Sequence, residues 1–158
     1  MKRINLLVVP TDECKSPKGR FRLFSQDISA AMRQGNGDSS RTSPWPFEVE
    51  LVRLPPSAVN WPYHSHSAQS EFYIIVSGRG QVRTPAGTTD VREGDYILHP
   101  PGEAHQLINT GATDLIYYVI ADNPASDVCH YPDSNKLKVP GQGKLLRVQP
   151  TEYYDGEE

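Results

Sequence analysis

Cysteine is scarce in this sequence. Cys14 and Cys129 are the only two, and they form no C-x-x-C spacing. That argues against a disulfide-stapled scaffold and against a thiolate zinc knot, and it predicts two reduced thiols in a cytoplasmic protein. Whether the two positions meet in space is left open. Long hydrophobic runs are missing as well: no stretch approaches the roughly 18 apolar residues that span a bilayer, so no membrane partner is expected. The opening Met1-Lys2-Arg3 followed by residues 4–9 faintly mimics a secretory leader. However, Asn5 interrupts its apolar run, and Pro10-Thr11-Asp12-Glu13 ends it short of the roughly 7–15 residues such a leader needs. Residues 4–9 therefore read as a β-strand. Basic charge is not in excess either. Lys and Arg number 16 against 19 Asp and Glu, giving a net charge of −3 and a pI near 5.9. A nucleic-acid surface, which needs a clustered basic face, is not expected.

What the sequence does have is punctuation, with 14 prolines and 12 glycines in 158 residues. Residues 21–32 hold a strand followed by a short helix, with Ser25 or Asp27 as its cap. A polar loop over 33–46, rich in Gly, Ser and Asn, reads as mobile. From Phe47 the character changes: Phe47, Val49 and Leu51 alternate with Glu48 and Glu50, the period-two pattern of a half-buried strand. Short apolar segments follow at 72–76, 81–84, 89–92, 96–99, 106–108 and 115–121, each cut off by turn residues. None of residues 47–121 sustains a helical period. Many short strands at close spacing predict an all-β sandwich or barrel. Residues 1–46 are then an N-terminal strand, short helix and loop packing on the barrel, 47–121 the barrel, and 122–158 an irregular extension ending in a frayed acidic tail. No internal repeat and no second domain are seen.

Two spaced patterns carry chemistry. The first is His64-Ser65-His66, then Glu71, then Gly78; the second is Gly94, Pro100, Gly102, His105 and Asn109. Residues i and i+2 of a strand share a face, so His64 and His66 project together as a two-imidazole metal clamp. Glu71 lies at an odd offset from both, so residues 67–70 must bend to return it to that face. Gly78 closes the next hairpin with a positive φ. Pro100-Pro101-Gly102 is turn chemistry that sets His105 at the entrance of a later strand, facing the clamp. Three imidazoles and a carboxylate, with no thiolate, suit one divalent first-row ion: manganese, iron, zinc, nickel or cobalt. Two positions of an octahedral ion stay open, which points to a working site more than a structural staple.

These nine positions match, in order and spacing, the two motifs of the cupin superfamily, and the chain resembles a small single-domain metal-binding cupin. The resemblance implies a double-stranded β-helix, or jelly roll, over residues 47–121. It also implies a metal deep in the barrel on His64, His66, Glu71 and His105, a small molecule bound beside it, and a homodimer. Residues 63–72 and the late segment His130-Tyr131-Pro132-Asp133-Ser134 resemble a branch of one-domain cupins described as sugar-phosphate-isomerase-like.

For an acid or base beside the metal, the sequence offers Glu71 if it is released, Tyr73, which shares its strand parity, and His99 before Pro100. His99 reads equally as a structural histidine. Gln81 and Arg83 are weaker pocket residues, and Asn109 reads as bracing its own turn. Tyr96, Tyr117 and Tyr118 read as sheet packing. His130 reads as a loop residue, and Lys136, Lys138 and Lys144 as solvated charge that could meet a phosphate. The implied function is a metalloenzyme acting on a small oxygen-rich metabolite. The chemistry would be sugar-phosphate isomerisation, with iron-dependent dioxygenation or manganese-dependent decarboxylation open to the same ligands. A binding or sensing module without chemistry is the alternative. A fused helix-turn-helix regulator is not expected, because the 46 residues before Phe47 hold at most one short helix.

Overall fold

Short alternating segments cut by Pro and Gly can bury one face only by pairing edge to edge. The computed structural model describes residues 1–34, 45–141 and 143–158, so the loop expected over 33–46 lies mostly outside the described residues. The strands are β1 (Asp12–Lys15), β2 (Arg22–Asp27), β3 (Phe47–Leu54), β4 (Ser65–His66), β5 (Glu71–Ser77), β6 (Arg79–Thr84) and β7 (Gly87–Arg92). They continue with β8 (Tyr96–His99), β9 (Gln106–Ile108), β10 (Leu115–Asp122), β11 (Cys129–Tyr131), β12 (Lys136–Lys138) and β13 (Leu145–Arg147). One helix, α1 (Ile28–Gln34), interrupts them.

The order β1-β2-β3-β10-β5-β8 makes a six-stranded sheet, β7-β6-β9 a second and β13-β12-β11-β4 a third. The named pairings are antiparallel. The first two sheets share one core, Leu23, Val52, Leu54, Tyr73, Ile75, Leu115 and Tyr117 meeting Val82, Val91 and Leu107. This is the all-β, jelly-roll architecture expected. No helix among the described residues is long and apolar enough to cross a membrane.

The strand-then-helix reading of 21–32 matches β2 and α1, and of the two proposed caps it is Asp27 that acts. Its Oδ1 accepts the Ala30 amide at 2.7 Å. Three expectations need correction. Residues 4–9 are not a strand; Leu6–Val8 form a 3₁₀ turn because the Asn5 side chain accepts the Leu7 amide at 2.9 Å, a local bond that displaces ladder pairing. The N-terminal strand is β1 instead. Residues 122–140 are not irregular, since β11 and β12 pair there and β11 also pairs with β4. The third concerns β3, a strand as expected but with its buried row on the other parity. Val52 and Leu54 are fully buried, and on the same face Glu50 is drawn into the interior, while Phe47 is 48% exposed. Burial raises the Glu50 carboxyl, and the nearby Asp27 and Glu71 charges raise it further against a lowering bond from Ser25.

Gly78 begins the turn between β5 and β6 with φ +86°, as expected. A Cβ there would also come within 2.4 Å of the Asp114 carbonyl oxygen, so conformation and space both demand glycine. Gly78→Ala should lower unfolding free energy by roughly 2–4 kcal/mol in urea denaturation. A loss under about 1 kcal/mol would show that the turn gives way easily.

Candidate metal centre

The two motifs meet through the backbone. His64 and His105 form an isolated antiparallel bridge, the His64 amide donating to the His105 carbonyl at 3.2 Å and the reverse bond measuring 2.8 Å. Their rings lie 4.7 Å apart. The Pro100-Pro101-Gly102 turn is tied to the clamp strand as well, because the Gly102 amide donates to the His66 carbonyl at 2.7 Å. After His66 the chain bends, and Glu71 opens β5 in a different sheet, as its odd offset required. Two aspartates hold the bend. Asp127 Oδ1 accepts the amides of Ala68 and Gln69 at 2.9 and 3.2 Å, and Asp122 Oδ1 accepts that of Ser70 at 2.7 Å.

Donor atoms of His64, Glu71 and His105 all lie within 4.8 Å of one another, a cluster that could hold a metal ion. His66 approaches the same carboxylate, its Nε2 standing 3.8 Å from Glu71 Oε1. It also groups with His64 and Cys129 at the same spacing. Each imidazole is oriented from behind. His64 Nδ1 faces the Pro62 carbonyl at 2.8 Å, His66 Nδ1 the Asp127 carboxylate at 2.6 Å, and His105 Nδ1 the Glu103 carbonyl at 3.2 Å. Those oxygens only accept, so each Nδ1 carries the hydrogen and each Nε2 is left as the ligating atom.

His105 then poses a charge problem. Its Nδ1 donates to a carbonyl while its Nε2 sits 2.7 Å from Glu71 Oε2. A neutral imidazole has one N–H and cannot satisfy both contacts. The arrangement calls for a positive charge between ring and carboxylate, supplied by an added proton or by a metal ion. The donor set therefore fits a cation. Glu71 agrees: burial raises its carboxyl, but the His105 hydrogen bond and the charges of His105, His64 and His66 outweigh this and hold it at about 2. His64 is pushed down to about 4 by burial and by His105, against Glu71, so it is neutral at physiological pH with its lone pair available.

Tyr73 faces the cluster as its parity predicted, donating to Glu71 Oε2 at 3.0 Å. It is fully enclosed, and burial followed by the Glu71 charge raises its hydroxyl well above the ordinary value, so it is a donor and not a base. His99 lies behind His105: it is 2% exposed, stacks on His105 at 3.9 Å and meets Glu103 through Nδ1 at 3.2 Å, while its buried Nε2 has no hydrogen-bond partner among the described residues. Burial and the His105 charge push it down to about 4. Asn109 braces its turn, donating to the Leu54 and Thr113 carbonyls and accepting the Gly111 amide. Tyr117 is core, whereas Tyr96 is 68% exposed.

Three readings are corrected here. Gln81 does not face the pocket but bonds Asp90 at 2.8 Å. Arg83 lies over the Tyr63 ring and forks onto Asp133 at 2.7 and 2.9 Å, holding the 132–134 turn to the barrel. His130 belongs to β11, opposite Ser65. Lys138 is exposed, as read, and also lines a cavity of about 670 Å³ whose wall includes His64, His66 and Glu71 together with Asp127, Cys129 and Tyr131. Those last three were missed because 122–140 read as irregular, which left its side chains without positions. The i, i+2 spacing of Cys129 and Tyr131 was a signal, but a three-residue strand is too short to stand out.

Residues 50–121, which bear both patterns, match the cupin domain family. By sequence, the chain is similar to an oxalate-binding protein of Thermotoga maritima, 33% identical over 70 residues. That match covers 44% of this chain and 56% of the relative, so the chain spans little more than half the relative's length. By structure, it is similar to a cupin-superfamily sugar phosphate isomerase from Silicibacter pomeroyi, with a TM-score of 0.73, 22% identity and 92% of each chain covered. A polyketide cyclase from Streptomyces resistomycificus aligns with a TM-score of 0.61 at 17% identity, over 96% of this chain and 88% of that one. At such identities the structural likeness speaks to the fold alone.

Asp127 links bend and clamp, and its charge is testable. Burial raises its carboxyl, but the bonds from His66 and from the Ala68 and Gln69 amides outweigh this and hold it below the ordinary value. A depressed carboxyl contributes fully above its unfolded pKa of about 3.9 and loses that contribution as pH falls through the lower folded value. Asp127→Asn should therefore cost roughly 1–3 kcal/mol in chelator-treated protein at neutral pH, the gap to wild type narrowing below about pH 4. A gap that stays constant down to about pH 3 would show that the charge contributes nothing.

Proposed function

We propose that this cupin holds one divalent first-row metal ion on His64, His66, Glu71 and His105 and uses it to bind a small, oxygen-rich anion in the adjoining cavity. One observation carries the reading: donor atoms of His64, Glu71 and His105 lie within 4.8 Å of one another, with the oriented His66 imidazole beside them, a grouping that a metal ion would satisfy. When bound, such an ion supplies Lewis acidity, lowering the cost of placing negative charge on an oxygen. The chain's own residues do the rest. Asp127 and the Pro62 and Glu103 carbonyls fix the rings, and Tyr73 caps the carboxylate from behind. Lys138 offers the cavity wall a positive charge for a carboxylate or phosphate, and the Tyr131 hydroxyl, kept protonated by burial first and by the neighbouring Cys129, is a donor to a substrate oxygen.

Within this reading the chemistry is isomerisation of a sugar phosphate, supported by the likeness of residues 63–72 and 130–134 to that branch of cupins. Dioxygenation and decarboxylation use the same ligands and are outcomes of the same screen. A second reading is a binding module without turnover. It is favoured by the position of Tyr73 and His99, both enclosed away from the cavity wall, which takes these two acid–base candidates out of a ligand's reach.

Metal analysis of protein purified without chelator should find about one equivalent of a first-row ion. His66→Ala should weaken metal retention at least about tenfold while the circular dichroism of the barrel persists. Full occupancy in that variant would remove His66 from the site. Lys138→Met should leave metal content unchanged and weaken the binding of oxalate or a sugar phosphate by calorimetry about tenfold or more, the loss of one charge-assisted contact of roughly 1.5–3 kcal/mol. Unchanged affinity for every anion would remove Lys138 from the ligand site. Turnover of sugar phosphates, or oxygen uptake, by the loaded protein separates enzyme from binding module.

A further inference from the structure

The C-terminal sheet delivers sulfur to this centre. Cys129 stands directly across from His66 in the β11–β4 pairing, and cross-strand partners present their side chains on one face. Its Sγ and the donor nitrogens of His64 and His66 all lie within 4.8 Å of one another. The residue is 6% exposed, makes no disulfide and lines the same cavity as the two histidines. His64 lines the cavity, and among the described residues only its Nδ1 is occupied by hydrogen bonding, which leaves its Nε2 without a partner. The Tyr131 hydroxyl bonds the sulfur from the adjacent position on the same face.

We infer that Cys129 is a further ligand of the metal centre, a thiolate that biases the His64–His66 clamp toward zinc or cobalt(II) and away from manganese. The inference rests on the proposed metal site and adds a sulfur donor to it. Thiolates favour softer ions, whereas a set of imidazoles and a carboxylate alone discriminates little among first-row metals. Ligation breaks the S–H bond as the sulfur–metal bond forms; the proton leaves to solvent and no electron is transferred. Glu71 and His105 lie on the barrel side of the clamp and Cys129 on the β11 side, so the centre draws donors from both sheets flanking the cavity.

The test is the optical spectrum of the full-length protein loaded with cobalt(II). Wild type should show the near-ultraviolet charge-transfer band of a cobalt–thiolate bond together with visible d–d bands. Cys129→Ser should lose the charge-transfer band, keep the d–d bands, and lose at least about tenfold in zinc affinity with manganese affinity unchanged. Stoichiometric cobalt with d–d bands but no charge-transfer band in wild type overturns the thiolate and leaves the His/Glu centre standing. Failure to bind cobalt, zinc or manganese at all overturns both. The wild-type spectrum decides the matter even if the serine variant folds poorly.

Discussion

A carboxylate withdrawn from water must be met by positive charge or by several donors, because its desolvation otherwise costs more than folding can return. In this chain that requirement falls on Glu71, whose side chain is only 12% exposed. His105, Tyr73 and, at longer range, His66 surround it. The His105 contact joins the two motif segments directly across the site. The His64–His105 backbone bridge sets the distance, the 67–70 bend sets the angle, and the anchoring oxygens behind each imidazole set the lone-pair direction. The result is a cluster with a deficit of positive charge at its centre, which is the physical definition of a cation site.

The chain divides the work. The six-stranded and three-stranded sheets make the enclosed core and carry the rear of the site, where Tyr73, His99 and Glu103 enclose His105. The third sheet carries the front. Through β11 and β12 it brings Cys129, Tyr131 and Lys138 to the open side, and the loop before β11 supplies Asp127. A rear wall so thoroughly enclosed suits holding an ion. The front wall mixes a cation, a thiol and a phenol around a cavity of about 670 Å³, which is room for a small polar molecule.

Much of this was legible in the residues. Period-two alternation and turn chemistry gave the all-β class, the i, i+2 histidines gave the clamp, and the odd offset of Glu71 required the bend that the aspartates stabilise. Local chemistry of this kind is readable because it acts over a few residues. The failures have the opposite cause. Which parity of β3 is buried depends on what lies across it, so the apolar Phe47, Val49 and Leu51 row was assigned by composition to the face that Glu48 and Glu50 occupy. The short strands β11 and β12 form by pairing, β11 with β4 and β12 with β11 and β13, and no property of residues 122–140 announces those partners.

The sequence alone determined the strand-rich fold, the two motifs and the kind of atoms that can meet an ion, because these follow from residue type and spacing along one chain. Only the tertiary structure decided the surroundings of those atoms: Asp127 behind His66, His99 stacked against His105, Cys129 beside the clamp and Lys138 at the cavity wall. Asp127, Cys129 and Lys138 lie far along the chain from the histidines and are brought there by the pairing of β11 with β4 and of β12 with β11, while the His99–His105 stack depends on the turn between β8 and β9. Register is fixed by the energy of the whole sheet and not by any segment of it.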